Sequence, residues 1–387
     1  MTHLLSYTTQ KIGVLGGGQL GKMLGQSASM MGLQMHVLDT DISFPAAASC
    51  MSFTEGSFKD YDDIMAFAAD KDVVTVEIEL VNTAALHDLV KQGKKVYPQP
   101  HLLDMIKDKG LQKQFYQEKG LVTSEFVLAQ DASEIKQWVL DGKLSVPFVQ
   151  KARTDGYDGR GVHIVRSLSD LQNLLDVKSV IEPLVDIDRE IAVIVARNPQ
   201  GDISSFPVVD MEFHPTANLV EYLFSPSMVS EEIQQRAIAL AKSIAQEMKI
   251  VGLLAVELFL TKDNEILINE VAPRPHNSGH HTIEANITSQ YEQHLRAILG
   301  MPLGDTSLIQ PAVMVNLLGA PNHTGEAHYE NIDECLATSG AHLHLYGKSI
   351  TKPYRKMGHA TIVDKDLDTA IEKATFVKDT LKIVTKA

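Results

Sequence analysis

The sequence predicts a chain of mixed α/β and α+β class that contains two or three domains. Three observations predict this class. Residues 11–38 alternate between strand, glycine turn, helix and strand; residues 253–271 have the pattern of a β-hairpin; and short strands dominate from Pro311 onwards. The length of 387 residues exceeds what a single hydrophobic core usually supports, so the chain is expected to fold as more than one domain.

The composition is that of a globular protein in water, with 44% hydrophobic and 22% charged residues. A net charge of -14 argues against nonspecific nucleic-acid binding, which needs a basic face. Two cysteines are too few for a disulfide framework and suit a reducing compartment. There is neither a signal-peptide pattern nor a run of about 18 apolar residues. We therefore expect a cytoplasmic protein with no nucleic-acid or membrane partner.

The first segment predicts a Rossmann-like βαβ unit. Residues 11–15 form a strand, residues 16–21 carry the G-x-G-x-x-G pattern, residues 22–31 form a helix, and a second strand ends at Asp39. Free N–H groups at such a helix start bind anions. One interpretation is a dinucleotide site with Asp39 on a ribose, and the other is a tight turn that tolerates phosphate.

A third strand is predicted over residues 73–79. By period two it places Glu77 and Glu79 on one face, at the carboxyl end where ligands bind in open α/β sheets. The alternative is a solvated strand end. This domain is expected to close near Pro100.

A strand with a lysine near its end, Lys151, precedes a loop with three glycines within six residues, Gly156, Gly159 and Gly161. Such a loop can lie against phosphates through its backbone. It is not a Walker A loop, but a strand lysine beside a glycine flap is another way to hold a nucleotide triphosphate. A plain hairpin turn is the alternative.

The hairpin at residues 253–271 predicts a metal site. With Asp263-Asn264 as a two-residue loop, Glu257 and Glu270 become direct cross-strand neighbours. Two facing carboxylates need a cation between them, and Mg²⁺ suits such a pair together with substrate phosphates. The alternatives are an edge hairpin with both carboxylates in water, and a zinc site that uses histidines of the rigid, polar run at residues 272–281.

The C-terminal region is predicted to be β-rich, with strands over residues 313–318 and 341–346. Lys348, Arg355 and Lys356 follow within a short distance. In so acidic a chain this basic group indicates a local anion site, and a solvated cationic loop is the alternative.

These motifs together resemble the ATP-grasp superfamily and, within it, the N5-carboxyaminoimidazole ribonucleotide synthetases of purine biosynthesis. The resemblance rests on Gly-Gly-Gly-Gln-Leu-Gly at residues 16–21, Gly-Tyr-Asp-Gly-Arg-Gly at 156–161, Asn-Glu-Val-Ala-Pro-Arg-Pro-His-Asn-Ser-Gly-His at 269–280, and Tyr-Gly-Lys with Arg-Lys-Met-Gly-His between 346 and 359. It implies a Rossmann-like pre-ATP-grasp domain at residues 1–100, a two-lobed ATP-grasp domain at 101–300 with a flap at 155–162, and a small β-rich C-terminal domain at 301–387.

The resemblance also implies a reaction and its residues. An ATP-dependent carbon–nitrogen ligase would join bicarbonate to 5-aminoimidazole ribonucleotide through carboxyphosphate, and release ADP and phosphate. The implied ATP ligands are Lys109, Lys151, Gly156, Tyr157, Asp158, Gly159, Arg160, Gly161, Val162, Glu182, Pro183, Leu184, Val185, Glu190, Asn269 and Glu270. Lys109 stands where the family usually has arginine.

The remaining implied roles concern the metal, bicarbonate and the ribonucleotide. Glu257 and Glu270 would hold Mg²⁺ or Mn²⁺. Arg274, His276 and Asn277 would surround bicarbonate, and Tyr157, Asp158 and Arg160 would join the two reactants when the flap closes. The ribonucleotide would meet Gln19, Leu20, Glu79, Lys348, Arg355 and Lys356. The family also suggests a homodimer.

Three rival functions stay open from the sequence. A related ATP-grasp enzyme formylates glycinamide ribonucleotide with ATP and formate, but it usually has Glu where Gln19 stands. A nicotinamide-dependent oxidoreductase would use the glycine turn at residues 16–21. A noncatalytic nucleotide-binding subunit would lack a complete set of Lys151, Glu257 and Glu270.

Overall fold

A computed structural model describes residues 7–154, 156, 161–214 and 219–386. The chain begins with a five-stranded parallel sheet of order β3-β2-β1-β4-β5. Its strands are β1 Lys11–Leu15, β2 Gln34–Asp39, β3 Ser52–Glu55, β4 Val73–Val76 and β5 Lys95–Val96. Its helices are α1 Gln19–Met30, α2 Tyr61–Ala68 and α3 Thr83–Lys91, with 3-10 turns at Tyr7–Thr9 and Pro45–Ser49. The buried strand residues are mostly apolar, as expected for a parallel sheet covered on both faces, and the polar exceptions are His36, Asp39 and Thr75.

A small antiparallel sheet follows, with the order β6-β9-β7-β8. Its strands are β6 Val127–Ala129, β7 Phe148–Ala152, β8 Val162–Val165 and β9 Ser179–Pro183. The helices of this region are α4 Pro100–Ile106, α5 Lys109–Glu118 and α6 Ala132–Leu140, with a 3-10 turn at Leu168–Asn173. Trp138 packs in the apolar core beneath this sheet.

A nine-stranded sheet forms the centre of the molecule, with the order β15-β14-β10-β12-β13-β16-β20-β18 and β11 beside β10. The strands are β10 Ile187–Arg197, β11 Ile203–Ser205, β12 Val209–Phe213, β13 Val220–Ser225, β14 Gly252–Thr261, β15 Ile266–Ala272, β16 Ala312–Leu318, β18 Ala341–Leu345 and β20 Lys356–Val363. All its pairings are antiparallel. It is covered by α7 Glu231–Met248, the 3-10 turn Asn277–Gly279, α8 Thr282–Ala285 and α9 Gln290–Leu299.

The C-terminal region is β-rich, as predicted, but three of its strands extend the central sheet. The others, β17 Gly325–Glu330, β19 Ile350–Thr351 and β21 Lys382–Thr385, form a separate small sheet. Helices α10 Ile332–Leu336 and α11 Leu367–Thr380 pack against this region. The class of the fold is therefore confirmed, and the three domain ranges stay a prediction. Among the described residues, no helix has the length and apolar character needed to cross a membrane.

Candidate active site

The carboxylates of Glu257 and Glu270 are direct cross-strand neighbours on β14 and β15. The predicted pairing is confirmed, but the predicted loop is wrong. Leu260 pairs with Ile266, so the loop has three residues and ends at Asn264 in the left-handed region with φ 62°. A β-bulge between Glu257 and Leu258 then shifts the register by one residue. The two differences cancel, and the glutamates meet.

The bulge also explains why two successive residues reach the same site. Asn269 is the extra residue of β15, and a bulge interrupts the alternation of side chains. The Oδ1 atom of Asn269 accepts from Lys151 Nζ at 3.1 Å, while Glu270 forms an ion pair with Lys109. Both predicted ATP ligands of this strand therefore face the cleft between the small and the central sheet.

Two basic side chains lie against the glutamate pair. Lys109 binds Glu270, and His276 Nε2 lies 3.3 Å from Glu257 Oε1. Lys109 lowers the pKa of Glu270, whereas burial and then the Glu270 and Glu190 carboxylates raise the pKa of Glu257 to about 8. Burial also raises the pKa of Glu190 to about 7. The cleft therefore collects more acid than its internal cations neutralise.

A second cluster of charged side chains lies beside the glutamate pair. Two of its residues, Lys113 and Ser124, were not predicted from the sequence. Glu182 is 3% exposed and forms ion pairs with Lys113 and, at 2.7 Å, with Lys151. Burial opposes the ionised form of Glu182, but the two lysines lower its pKa to about 2. Ser124 Oγ donates to the same carboxylate at 2.8 Å. A cavity at this cluster is lined by Lys109, Gln112, Lys113, Tyr116, Lys151, Val180 and Asn269.

Lys113 and Ser124 were missed because nothing in the local pattern distinguishes them from surface residues. The available signal was spacing, since Lys109 and Lys113 are four residues apart and share a helix face. Pro183 ends β9, and the segment with Leu184 and Val185 follows it, where it leads into β10. The predicted adenine contacts of that segment stay a prediction.

The flap lies mostly outside the described residues. Tyr157, Asp158, Gly159 and Arg160 belong to this part, so their predicted roles stay predictions. Gly161 has φ 77°, and its carbonyl accepts from Ala152 N at 2.7 Å. Val162 then begins β8 opposite Lys151. The strand lysine and the end of the flap are thus adjacent.

The glycine turn binds the chain's own carboxylates. Gly17 N donates to Asp39 Oδ2 at 2.7 Å, and the N–H groups of Gly18 and Gly21 donate to Glu77. The strand ends at Val76, so the predicted shared strand face for Glu77 and Glu79 is wrong. Because side-chain anions already occupy the helix start, the dinucleotide interpretation with Asp39 on a ribose is also wrong. Gln19 and Leu20 begin α1 beside this turn.

The loop after β15 connects the first domain to the central sheet. Arg274 Nε lies 2.8 Å from Glu79 Oε1. His276 binds Glu257, and its backbone N–H donates to Gln290 Oε1 at 2.8 Å. Asn277 exchanges amide hydrogen bonds with Asn316 on β16. Among the described residues, no three or more His, Cys, Asp and Glu side chains are arranged to hold a metal ion, so the zinc interpretation has no geometric support.

The predicted basic group lies on the connection between β18 and β20. Lys348 Nζ donates to the Lys356 carbonyl at 2.7 Å, and the Arg355 guanidinium binds the Ile350 carbonyl. Lys356 is close enough to Glu257 to lower its pKa, against the larger effect of burial. Of the three basic residues, Lys356 therefore lies near the acidic pair.

Three family models match successive parts of the chain. The ribonucleotide synthetase preATP-grasp domain matches residues 9–107, the ATP-grasp domain matches residues 114–291, and the phosphoribosylaminoimidazole carboxylase C-terminal domain matches residues 312–373. They cover the three regions that contribute residues to the cleft.

Named relatives resemble the chain over most of its length. The N5-carboxyaminoimidazole ribonucleotide synthase of Bacillus subtilis is 37% identical over 380 residues, which is 97% of each protein. The chloroplastic phosphoribosylaminoimidazole carboxylase of Vigna aconitifolia is 39% identical over 92% of this chain, and the chain spans only 64% of that protein.

Solved structures share the fold. The N5-carboxyaminoimidazole ribonucleotide synthetase of Thermotoga maritima has a TM-score of 0.89 and 40% identity, with coverage of 97% of this chain and 100% of that one. The Aspergillus clavatus synthase in complex with ADP and 5-aminoimidazole ribonucleotide has a TM-score of 0.86 and 32% identity, with coverage of 96% and 98%.

Proposed function

The chain belongs to the N5-carboxyaminoimidazole ribonucleotide synthase family, and we propose that it carboxylates 5-aminoimidazole ribonucleotide with bicarbonate and ATP. The observation that carries this proposal is the convergence of an acidic pair, the lysines Lys113 and Lys151 and the loop at residues 274–277 on one cleft. Such a site suits phosphoryl transfer, which depends on positioning and charge neutralisation.

The proposed reaction has two steps. A bicarbonate oxygen attacks the γ-phosphorus of ATP, the bond to ADP breaks, and carboxyphosphate forms. The amine of the ribonucleotide then attacks the carbonyl carbon, the carbon–oxygen bond to phosphate breaks, and the amine proton ends on the departing phosphate. Activation is needed because bicarbonate is a poor electrophile. Exclusion of water is needed because water would otherwise attack the same anhydride.

We propose that the lysines bind the phosphates of ATP. Lys151 and Lys113 both bind Glu182, and Lys109 binds Glu270. These ammonium groups lie at the cleft where the triphosphate would bind beneath the flap. Glu190 is proposed to accept from the ribose hydroxyls, and residues 182–185 to contact adenine through their backbone.

The facing carboxylates of Glu257 and Glu270 fit a hard divalent cation, because they are direct cross-strand neighbours and each already has a basic side chain against it, Lys109 on Glu270 and His276 on Glu257. Mg²⁺, or Mn²⁺ in its place, would be held by these two residues and would neutralise the β- and γ-phosphates. Lys109 and His276 would then be released toward the phosphates and bicarbonate.

The ribonucleotide is proposed to lie between the first domain and the C-terminal strands. Gln19, Leu20 and Glu79 would contact its ring and sugar. Lys348, Arg355 and Lys356 would bind its phosphate, for which three cations close in sequence are well suited. Arg274 and Asn277, on the loop between these regions, would hold bicarbonate next to the amine.

We further propose three domains at residues 1–100, 101–300 and 301–387, a homodimer, and a cytoplasmic location. The free cysteines Cys50 and Cys335 support a reducing compartment. Light scattering of the purified protein after size exclusion tests the dimer, and a monomeric mass would contradict it.

ADP release with each substrate omitted in turn tests the function. We expect release that requires both bicarbonate and 5-aminoimidazole ribonucleotide. Release that requires formate and glycinamide ribonucleotide instead would support the formyltransferase and reject the proposal. Binding of NADH without binding of ATP would support the oxidoreductase, although Glu77 and Asp39 already occupy its anion site.

A further inference from the structure

Three polar residues form a row across the C-terminal part of the central sheet. His359 on β20 lies directly opposite Asn316 on β16 and opposite His344 on β18. The strands around them are otherwise mainly apolar, as in the run Val-Met-Val-Asn-Leu-Leu that contains Asn316. Each residue of the row meets a polar partner from the segment that follows the active-site loop.

The partners are Asn277, His280 and Glu284, which are spaced by three and four residues and so share a face of their helical turns. Asn277 and Asn316 exchange two amide hydrogen bonds of 2.9 and 2.8 Å. The rings of His280 and His359 lie 4.6 Å apart. His344 Nε2 lies 2.6 Å from Glu284 Oε1. We call these three pairs the polar ladder.

The middle of the polar ladder is a stack of imidazoles that burial holds neutral. His280 is 1% and His359 is 0% exposed, and burial lowers the pKa of both well below the ordinary range. The His344 ring also stacks on His359, with the ring centroids 4.4 Å apart. Tyr291 and Tyr346 hydroxyls bind the Nδ1 atoms of His280 and His359 at 2.9 and 3.0 Å.

Buried polar pairs contribute less to stability than apolar packing, but they allow only one alignment of the two surfaces. If the contact were apolar, the segment at residues 277–284 could shift along the sheet without losing it. The reciprocal amide hydrogen bonds and the carboxylate–imidazole pair would break on such a shift. Asn316 Nδ2 also donates to the Val220 carbonyl at 2.8 Å, which holds the row in the sheet.

The polar ladder lies between two parts of the proposed active site. It begins at Asn277, next to His276, and β20 carries Lys356 three residues before His359. We propose that the polar ladder fixes the bicarbonate loop at a set distance from the ribonucleotide phosphate site, so that carboxyphosphate forms within reach of the amine. This inference rests on the proposed function.

A loosened polar ladder would uncouple the two steps. Misplacement by about 1 Å can cost about a hundredfold in the rate of a positioned reaction. Water would then compete with the amine, and carboxyphosphate plus water gives bicarbonate and phosphate. ADP would still form, but without carboxylated product.

The test uses His344, which is part-exposed at 21% and is not among the residues proposed to bind a substrate. His344→Leu removes the bond to Glu284, His344→Gln keeps an amide N–H in the place of Nε2, and His342→Leu on the same strand is the control because His342 is exposed. ADP and N5-carboxylated product are measured together, with thermal unfolding as the check on folding.

We expect His344→Leu to release ADP at a rate within about twofold of wild type, but with product per ADP lowered at least about threefold. His344→Gln and His342→Leu should keep the wild-type ratio. A parallel fall of ADP and product, or an unchanged ratio, would overturn the inference. If His344→Leu fails to fold, Glu284→Leu, which removes the acceptor of His344 Nε2, decides: a lowered ratio supports the polar ladder and an unchanged ratio rejects it. Wild-type protein without bicarbonate-dependent ADP release would instead reject the proposed function.

Discussion

Replacement of Glu257 by glutamine removes a charge from the cleft and keeps the shape of the side chain. Burial, and then the Glu270 and Glu190 carboxylates, raise the pKa of Glu257 to about 8 from an ordinary 4.5. At neutral pH the folded, ligand-free protein therefore binds a proton at Glu257 that the unfolded chain releases. We expect Glu257→Gln to stabilise the ligand-free protein at neutral pH and to abolish turnover.

The magnitude follows from the raised pKa. Stability associated with a raised acid pKa is fully present below the ordinary value and is lost as the pH rises toward the folded-state value, here from about 4.5 to about 8. Each pH unit within this window costs about 1.4 kcal/mol. Wild type should lose about 2 to 3 kcal/mol between pH 5 and pH 7 through Glu257, and Glu257→Gln should not.

Urea unfolding of both proteins at pH 5 and pH 7 measures this difference. We expect the stability gap in favour of Glu257→Gln to widen by about 2 to 3 kcal/mol over that range. Mg²⁺ with ADP should stabilise wild type much more than the variant. Glu330→Gln, at an exposed position of β17, is the matched control and should behave as wild type. A gap that is the same at both pH values would refute the electrostatic account of this site.

Three further variants test the metal pair, the ribonucleotide phosphate site and the glycine turn. Glu270→Gln should abolish turnover and weaken Mg²⁺–ATP binding with the fold kept, measured by calorimetry and ADP release; near-normal activity would contradict its metal role. Lys348→Ala should raise KM for the ribonucleotide about tenfold or more and leave KM for ATP nearly unchanged, whereas Lys352→Ala, exposed on the same connection, should change neither. Equal effects on both KM values would reject a phosphate role for Lys348. Glu77→Ala should lower the free energy of unfolding by about 2 to 4 kcal/mol, because two backbone N–H groups lose their carboxylate acceptor. Added phosphate should bind at the vacated helix start and restore part of this stability. If phosphate has no effect on the stability of the variant, the helix start is not an anion-binding site.

The hairpin illustrates how far local patterns reach. Its apolar runs and its turn residues predicted two strands, and counting outward from the turn paired Glu257 with Glu270. The turn was one residue longer than expected, and a bulge at Asn269, which the sequence pattern did not predict, compensates for the extra residue. The predicted pair was therefore correct, although the predicted register of the strands next to the turn was wrong.

The glycine turn illustrates the opposite case. Its pattern correctly predicted a strand, a tight turn and a helix whose first N–H groups bind an anionic group from outside the helix. It did not indicate which anion binds there. Glu77 is 59 residues from Gly18 in the chain, and only the pairing of β1 with β4 brings its carboxylate to the turn.

The sequence alone determined the alternation of strands and helices and the turns at glycine and proline, since these depend on neighbours a few positions apart. It also supplied the residue types of the proposed chemistry. Only the tertiary structure decided that Lys113 and Lys151 share Glu182, that Glu77 occupies the helix start, and that three C-terminal strands continue the central sheet. These contacts join segments that are far apart in the chain. The packing of apolar faces determines which charged side chains meet. The apolar pattern of one strand or helix resembles that of another, so the partner of each face is decided only when the whole chain has folded.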